Sequence, residues 1–247
     1  MKANYKIALC LSGYIGSTDK FPPNDGRKIN LNEGYSYIKK NIIQDYDVDI
    51  FVHSWDTEYS DKILKTYNPK SYIIEPQIPK FKIDHTKIDK NSSITAEGKN
   101  YSLKDMVFGC QSQKYSRMKV VELKSNYEKD NNFEYDFVFL TRFDLAFLEP
   151  FIYENLSREK VYVAGPARNE SINEFYYLSN SKNMNFIGDF YNNMESSGMT
   201  RMINIHYVEY NYMKNLPIEY LYTRPWGDPK WHGDIRLLRT KPNVGVI

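Results

Sequence analysis

The chain has 247 residues, of which 41% are hydrophobic and 15% aromatic, enough apolar surface to build one packed domain and too much for a disordered chain. Its 33 basic and 31 acidic residues leave a net charge of +2, far from the one-sided charge that a nucleic-acid backbone selects, so no nucleic-acid partner is expected. No apolar run reaches the ~20 residues of a membrane span and no cleavable leader is recognisable, so the expected location is cytoplasmic.

Residues 5–12 (YKIALCLS) form a compact apolar run closed by Gly13, the pattern of a buried strand. After a polar loop, Leu31, Tyr35, Ile38 and Ile42 recur at helical spacing within residues 30–44. Residues 48–55 (VDIFVHSW) read as a second buried strand and residues 71–75 as a third, so the chain opens as a βαβ unit with parallel strands and right-handed crossovers. Residues 76–100 are rich in Lys, Pro and Asn and read as a loop excursion.

Ser102 with Asp105 makes an acidic variant of the capping box. The helix behind it should run to about Lys129 on a stripe of Leu103, Met106, Val107, Cys110, Met118 and Val121, with Gly109 implying close packing or a bend. Residues 134–147 (EYDFVFLTRFDLAF) read as a nearly continuous strand interrupted by Arg142 and Asp144. Beyond Pro150 the pattern gives a strand at 161–164, a helix over 181–194 on Met184, Ile187 and Tyr191, and another over about 204–215. A Trp-, Pro- and Gly-rich tail at 224–234 precedes a last short strand. Cys10 and Cys110 show neither CxxC spacing nor a Cys/His cluster, so neither a disulfide nor a structural zinc is expected. The expected class is α/β, a mostly parallel sheet flanked by helices in a single domain spanning 1–247.

In an open parallel α/β sheet, ligands bind outside the carboxyl ends of the strands. Three polar clusters fall at such ends: Ser12, Gly13 and Tyr14; His53, Ser54, Trp55 and Asp56; and Arg142 with Asp144. Two residues apart in an extended segment, Arg142 and Asp144 point to the same side. Such a pair can grip a diphosphate, directly through Arg or through a divalent ion held by Asp. The competing reading is a salt-bridged strand end without a ligand. Glycine-rich phosphate loops, GxSxG and HExxH are absent, which argues against dinucleotide hydride transfer, P-loop hydrolysis and the simplest hydrolases. His232 sits with Trp226, Trp231, Asp228 and two glycines in the tail, a composition suited to sugar rings or, equally, to a rigid loop packed on the core.

The LSG at 11–13, DIFVHSWD at 49–56, the long helix running into EYDFVFLTRFDLAF, and the later EFYYLSNSKNMNFIGDFYNNM together resemble glycosyltransferases of bacterial capsule and lipopolysaccharide biosynthesis. The resemblance implies a GT-A-like (Rossmann-like) fold, with residues 1–148 as the nucleotide-binding half and 149–247 on the acceptor side. It implies transfer of a sugar from a nucleotide-sugar donor to a saccharide or lipid-linked saccharide acceptor. Asp144 would stand where such enzymes hold a Mn²⁺- or Mg²⁺-bound sugar diphosphate, with His232 completing the metal site and Arg142 replacing the other carboxylate. On this reading Ser12, Gly13 and Tyr14 contact the nucleotide and His53 and Asp56 line its base or ribose. Arg142 and Asp144 neutralise the diphosphate, and Glu174 or Asp234 deprotonates the acceptor if the reaction inverts. A lipid-linked acceptor would bring peripheral association with a membrane, to which the near-zero net charge adds no attraction. Two rival readings are a carbohydrate-binding or assembly protein without catalysis, and another nucleotide-dependent transferase that modifies polysaccharide.

Overall fold

A computed structural model describes residues 4–15, 28–84, 93–96, 99–165, 171–197, 205–221 and 235–240. In chain order the elements are β1 (Ile7–Gly13), β2 (Lys28–Ile29), α1 (Leu31–Ile38), β3 (Val48–Ser54), α2 (Ser60–Tyr67), β4 (Ser71–Ile74), β5 (Ser93–Ala96), β6 (Lys99–Ser102) and α3 (Leu103–Asn131). There follow β7 (Phe137–Arg142), β8 (Leu145–Phe147), β9 (Val161–Ala164), β10 (Asn173–Ser179), α4 (Ser181–Gly188), α5 (Phe190–Asn193), α6 (Ile205–Met213), β11 (Ile218–Tyr220), β12 (Ile235–Leu237) and β13 (Arg239–Thr240).

Seven strands form one sheet in the order β11-β9-β10-β7-β1-β3-β4. β10 runs against both its neighbours and all the other pairings are parallel, so the sheet is mixed but mostly parallel, as expected. Strand alternation sends Leu9, Leu11, Phe137 and Phe139 to one face, where Leu31 and Ile38 of α1 and Ile63 and Tyr67 of α2 close the core. Ala8, Cys10, Val138 and Leu140 point to the other, under Val120 and Val121 of α3 and Met184 and Ile187 of α4. Helices on both faces of a largely parallel sheet are the doubly wound α/β arrangement, compatible with a Rossmann-like fold. Among the described residues no helix is long and apolar enough to cross a membrane.

Several local expectations meet a different physical solution. Residues 134–147 are two strands: a turn at Phe143 and Asp144 takes the chain out of the main sheet, and β8 pairs with β12 instead. The excursion at 76–100 carries a hairpin, β5 with β6. The helix over 181–194 breaks at Asp189 into α4 and α5. Ser102 Oγ does accept from Asp105 N at 3.4 Å to start α3, but Gly109 is exposed and no described residue lies within 4 Å of where a Cβ would project, so no close packing among the described residues explains it, and the helix runs unbroken past it. Leu103, Met106, Val107 and Cys110 are only half-buried. The α3 face that is buried instead carries Gln111, Lys114, Arg117, Lys124 and Glu128 together with Met118 and Val121.

Candidate functional site at the carboxyl ends of the central strands

Register places Arg142 of β7, Ser12 of β1 and His53 of β3 in one row across adjacent parallel strands. They continue the rows of Ala8, Cys10, Phe51, Val138 and Leu140, so the row lies on the α3 face at the carboxyl edge. The chain lays β3 and β4 on one side of β1 and then returns to place β7 on the other. The crevice between β1 and β7 is therefore the topological switch point of the sheet, where doubly wound folds bind ligands. Gly13, the last residue of β1, has φ +112, and among the described residues nothing lies within 4 Å of where its Cβ would be. Only glycine adopts that backbone without strain, and no described residue crowds the place of its Cβ. Ser12 itself is buried and donates from Oγ to Thr141 O at 3.4 Å; Tyr14 follows, half-buried.

Although Arg142 and Asp144 flank a turn and not a straight strand, their side chains meet: Nε donates to Oδ1 at 2.8 Å and Nη2 to Oδ2. The pair is bidentate, the geometry that fixes a guanidinium most firmly. Asp144 is nearly sealed, at 2% side-chain exposure, whereas Arg142 keeps 19%. The turn is anchored by Leu238 N donating to Asp144 O at 2.8 Å. This donor set does not suit a Mn²⁺ or Mg²⁺ ion, because a guanidinium already occupies both oxygens of Asp144 and a hard cation needs several free oxygen ligands. Among the described residues no group of three His, Cys, Asp or Glu side chains converges. His232 and Asp234, like the tail tryptophans, lie outside the described residues.

His53 has no exposed surface, so it cannot line a nucleotide pocket directly. Its Nδ1 lies 2.7 Å from Ser116 Oγ and its Nε2 3.2 Å from Glu75 Oε1. Burial, the largest influence, lowers its pKa. Trp55 packs edge-on to it at 4.7 Å and stacks on Tyr115 at 5.3 Å. Asp56 is buried, its backbone N–H donating to Ser54 Oγ at 3.1 Å.

Glu174 also reaches the carboxyl edge, because β10 enters the sheet there beside β7. Phe175 and Tyr176 both pack on the α1 side, so alternation slips at an irregularity in β10 and Glu174 faces α3. There it bonds Lys114 Nζ and stands 3.5 Å from Arg117 Nη1 and 3.2 Å from His206 Nδ1. Lys114 and Arg117 also hold Glu209 of α6, which is 1% exposed. Burial pushes the Glu174 carboxyl up, but Lys114, His206 and Arg117 outweigh it and bring its pKa down to about 2. A carboxylate so stabilised is a weak base, which argues against the acceptor-deprotonating role expected for Glu174 and makes it the anchor of a buried ion network.

On the opposite face, a cleft of about 550 Å³ lies between residues 40–46 and 150–154. It shares no residue with the row. The sequence matches no known family model and no curated protein.

Proposed function

We propose that the protein is a glycosyltransferase of GT-A-like fold, moving a sugar from a nucleotide-sugar donor to a surface-polysaccharide acceptor. The observation that carries this reading is the partly exposed Arg142 guanidinium in register with Ser12 at the switch point, beside Gly13, where no described residue crowds the place of a Cβ. In the reaction, the bond between the donor's anomeric carbon and its phosphate oxygen breaks as the acceptor oxygen bonds that carbon and loses its proton. The nucleotide leaves with added negative charge. Arg142, oriented by Asp144, supplies a preorganised cation where that charge develops. The Mn²⁺ or Mg²⁺ expected from the resemblance would have to displace Arg142 from Asp144. Asp234 keeps its place as the candidate base.

Thermal melting with UDP, GDP, CMP and their sugar conjugates, with and without Mn²⁺, tests the reading. A cognate nucleotide at a hundred times its dissociation constant adds about 2.7 kcal/mol, a rise of about 5–10 °C for a chain of this size. If no nucleotide raises the melting temperature, the proposal fails.

The closed Arg142–Asp144 pair favours one competing reading, a carbohydrate-binding protein without catalysis. Asp144→Ala separates the two: a binder keeps its glycan affinity, whereas an enzyme that depends on an oriented Arg142 loses turnover by orders of magnitude.

A further inference from the structure

The cleft on the α1 face is walled by two segments that hydrogen bonds tie to each other. Past Ile38 the helix α1 continues as a π turn, Lys39–Ile43, and both Asn41 and Ile42 of that turn are buried. Asn41 Nδ2 donates to Phe147 O, and Phe151 N donates to Asn41 O at 2.8 Å. Tyr46 OH donates to Glu154 Oε2 at 2.6 Å, while its ring packs edge-on to Tyr153 at 4.8 Å. The walls are therefore held in place before any ligand arrives, which lowers the cost of binding. At about 550 Å³ the cleft lies inside the range of small-molecule sites, about 300–1,000 Å³.

Its lining selects the chemistry. Ile42, Pro150, Phe151 and Ile152 give an apolar surface, and Ile152 keeps 51% exposure. Asn41 lines the cleft at 3% exposure, and with its amide N–H on Phe147 O, nothing among the described residues donates to its Oδ1. The Glu154 carboxylate offers about four acceptor positions, more than the one that Tyr46 takes. A partner for these groups must donate hydrogen bonds and also present an apolar face. Asp45 and Glu154 outnumber Lys40, so the lining carries one net negative charge and disfavours phosphates and other anions. An uncharged ring with hydroxyls around it and CH faces above and below meets these conditions.

We infer that this cleft binds a neutral saccharide unit, its apolar face on Phe151 and Ile152 and its hydroxyls donating to Asn41 Oδ1 and Glu154. The site is separate from the crevice between β1 and β7. Tyr46 lies two residues before Val48, the first of β3, and Tyr153 packs on Phe137, the first of β7, at 5.3 Å, so the cleft is at the amino edge of the sheet. Arg142 stands at the other edge and on the other face, one strand length, roughly 20 Å, away. The inference stands without the glycosyltransferase reading; where that reading also holds, the cleft grips a stretch of polysaccharide away from the reacting end.

The test is titration of the isotope-labelled full chain with lactose, maltose, cellobiose and diacetylchitobiose, beside glucuronic acid and glucosamine as charged probes, read by amide chemical shifts. A neutral sugar should move the amides of residues 40–46 and 151–154 saturably, with a Kd in the millimolar range. Ile152→Asp, which puts a charge on the apolar face, and Glu154→Ala, which removes an acceptor, should each weaken that binding about tenfold. Both side chains are exposed, so the fold is retained, and the melting shift given by a nucleotide should be the same in both variants. Shifts confined to other residues, equal binding in both variants and the unaltered chain, tighter binding of glucuronic acid or glucosamine than of every neutral sugar, or no response to any sugar overturns the inference. None of these outcomes touches the glycosyltransferase reading, which the nucleotide melts decide.

Discussion

Arg142 and Ser12 are register partners on adjacent parallel strands, and both oxygens of Asp144 hold the guanidinium beside the serine's strand end. If that guanidinium meets the donor's phosphates, Arg142→Ala weakens nucleoside-diphosphate binding by about 10- to 100-fold, the worth of a charged hydrogen bond. Arg142→Lys should recover little, because an ammonium cannot reproduce the two-pronged contact with Asp144. Arg142→Ala also removes the two-pronged partner of a nearly sealed carboxylate, so stability falls as well. Combining it with Asp144→Ala should return stability but not affinity, and urea denaturation beside calorimetry reads the two separately.

Gly34 of α1 couples helix packing to this turn. A Cβ there would sit 2.8 Å from the carbonyl oxygen of Phe143, the residue between Arg142 and Asp144, and 3.4 Å from Leu238 Cδ1. A backbone oxygen cannot swing aside as a side chain can, so Gly34→Ala should cost about 1–3 kcal/mol by overpacking. That corresponds to a fall in melting temperature of a few degrees, with weaker nucleotide binding because the turn itself must shift.

Gly13 makes the opposite case. Among the described residues nothing lies within 4 Å of where its Cβ would be, so Gly13→Ala meets no clash with them, yet φ +112 is a conformation that an L-residue adopts only with strain. The expected loss is about 1–3 kcal/mol from backbone strain alone. A Gly13→Ala protein with an unchanged denaturation midpoint would show that the β1 end relaxes to another conformation.

The parallel half of the sheet is legible in the sequence because β1, β3 and β7 are apolar runs buried on both faces, and Ser102 with Asp105 marks the start of α3. The turn at Phe143 is hidden, since neither residue of the turn is a glycine or proline and Phe143 is as apolar as the strand before it. α3 misleads for a related reason: its buried face satisfies charges with partners on β10, α4 and α6, and periodicity cannot announce such tertiary pairings. Glu75 and Ser116 escape notice in the same way, as they become a unit only when β4 and α3 both close on His53.

The buried network of Lys114, Arg117, Glu174 and Glu209 sets a pH dependence whose sign is determined. Glu174 titrates near 2 in the folded protein and near 4.5 as a free group. A depressed carboxyl stabilises the fold above the unfolded value and loses that contribution as pH falls from about 4.5 towards 2. Urea midpoints should therefore drop steeply through this window. In Glu174→Gln the slope there should shrink by about 1.4 kcal/mol per pH unit, one proton's worth. At neutral pH the same variant leaves Lys114 and Arg117, both buried, facing Glu209 alone, so it starts from a lower stability and the two curves converge as acid is added. Parallel curves would mean that Glu174 is not the carboxyl whose protonation unlocks the fold.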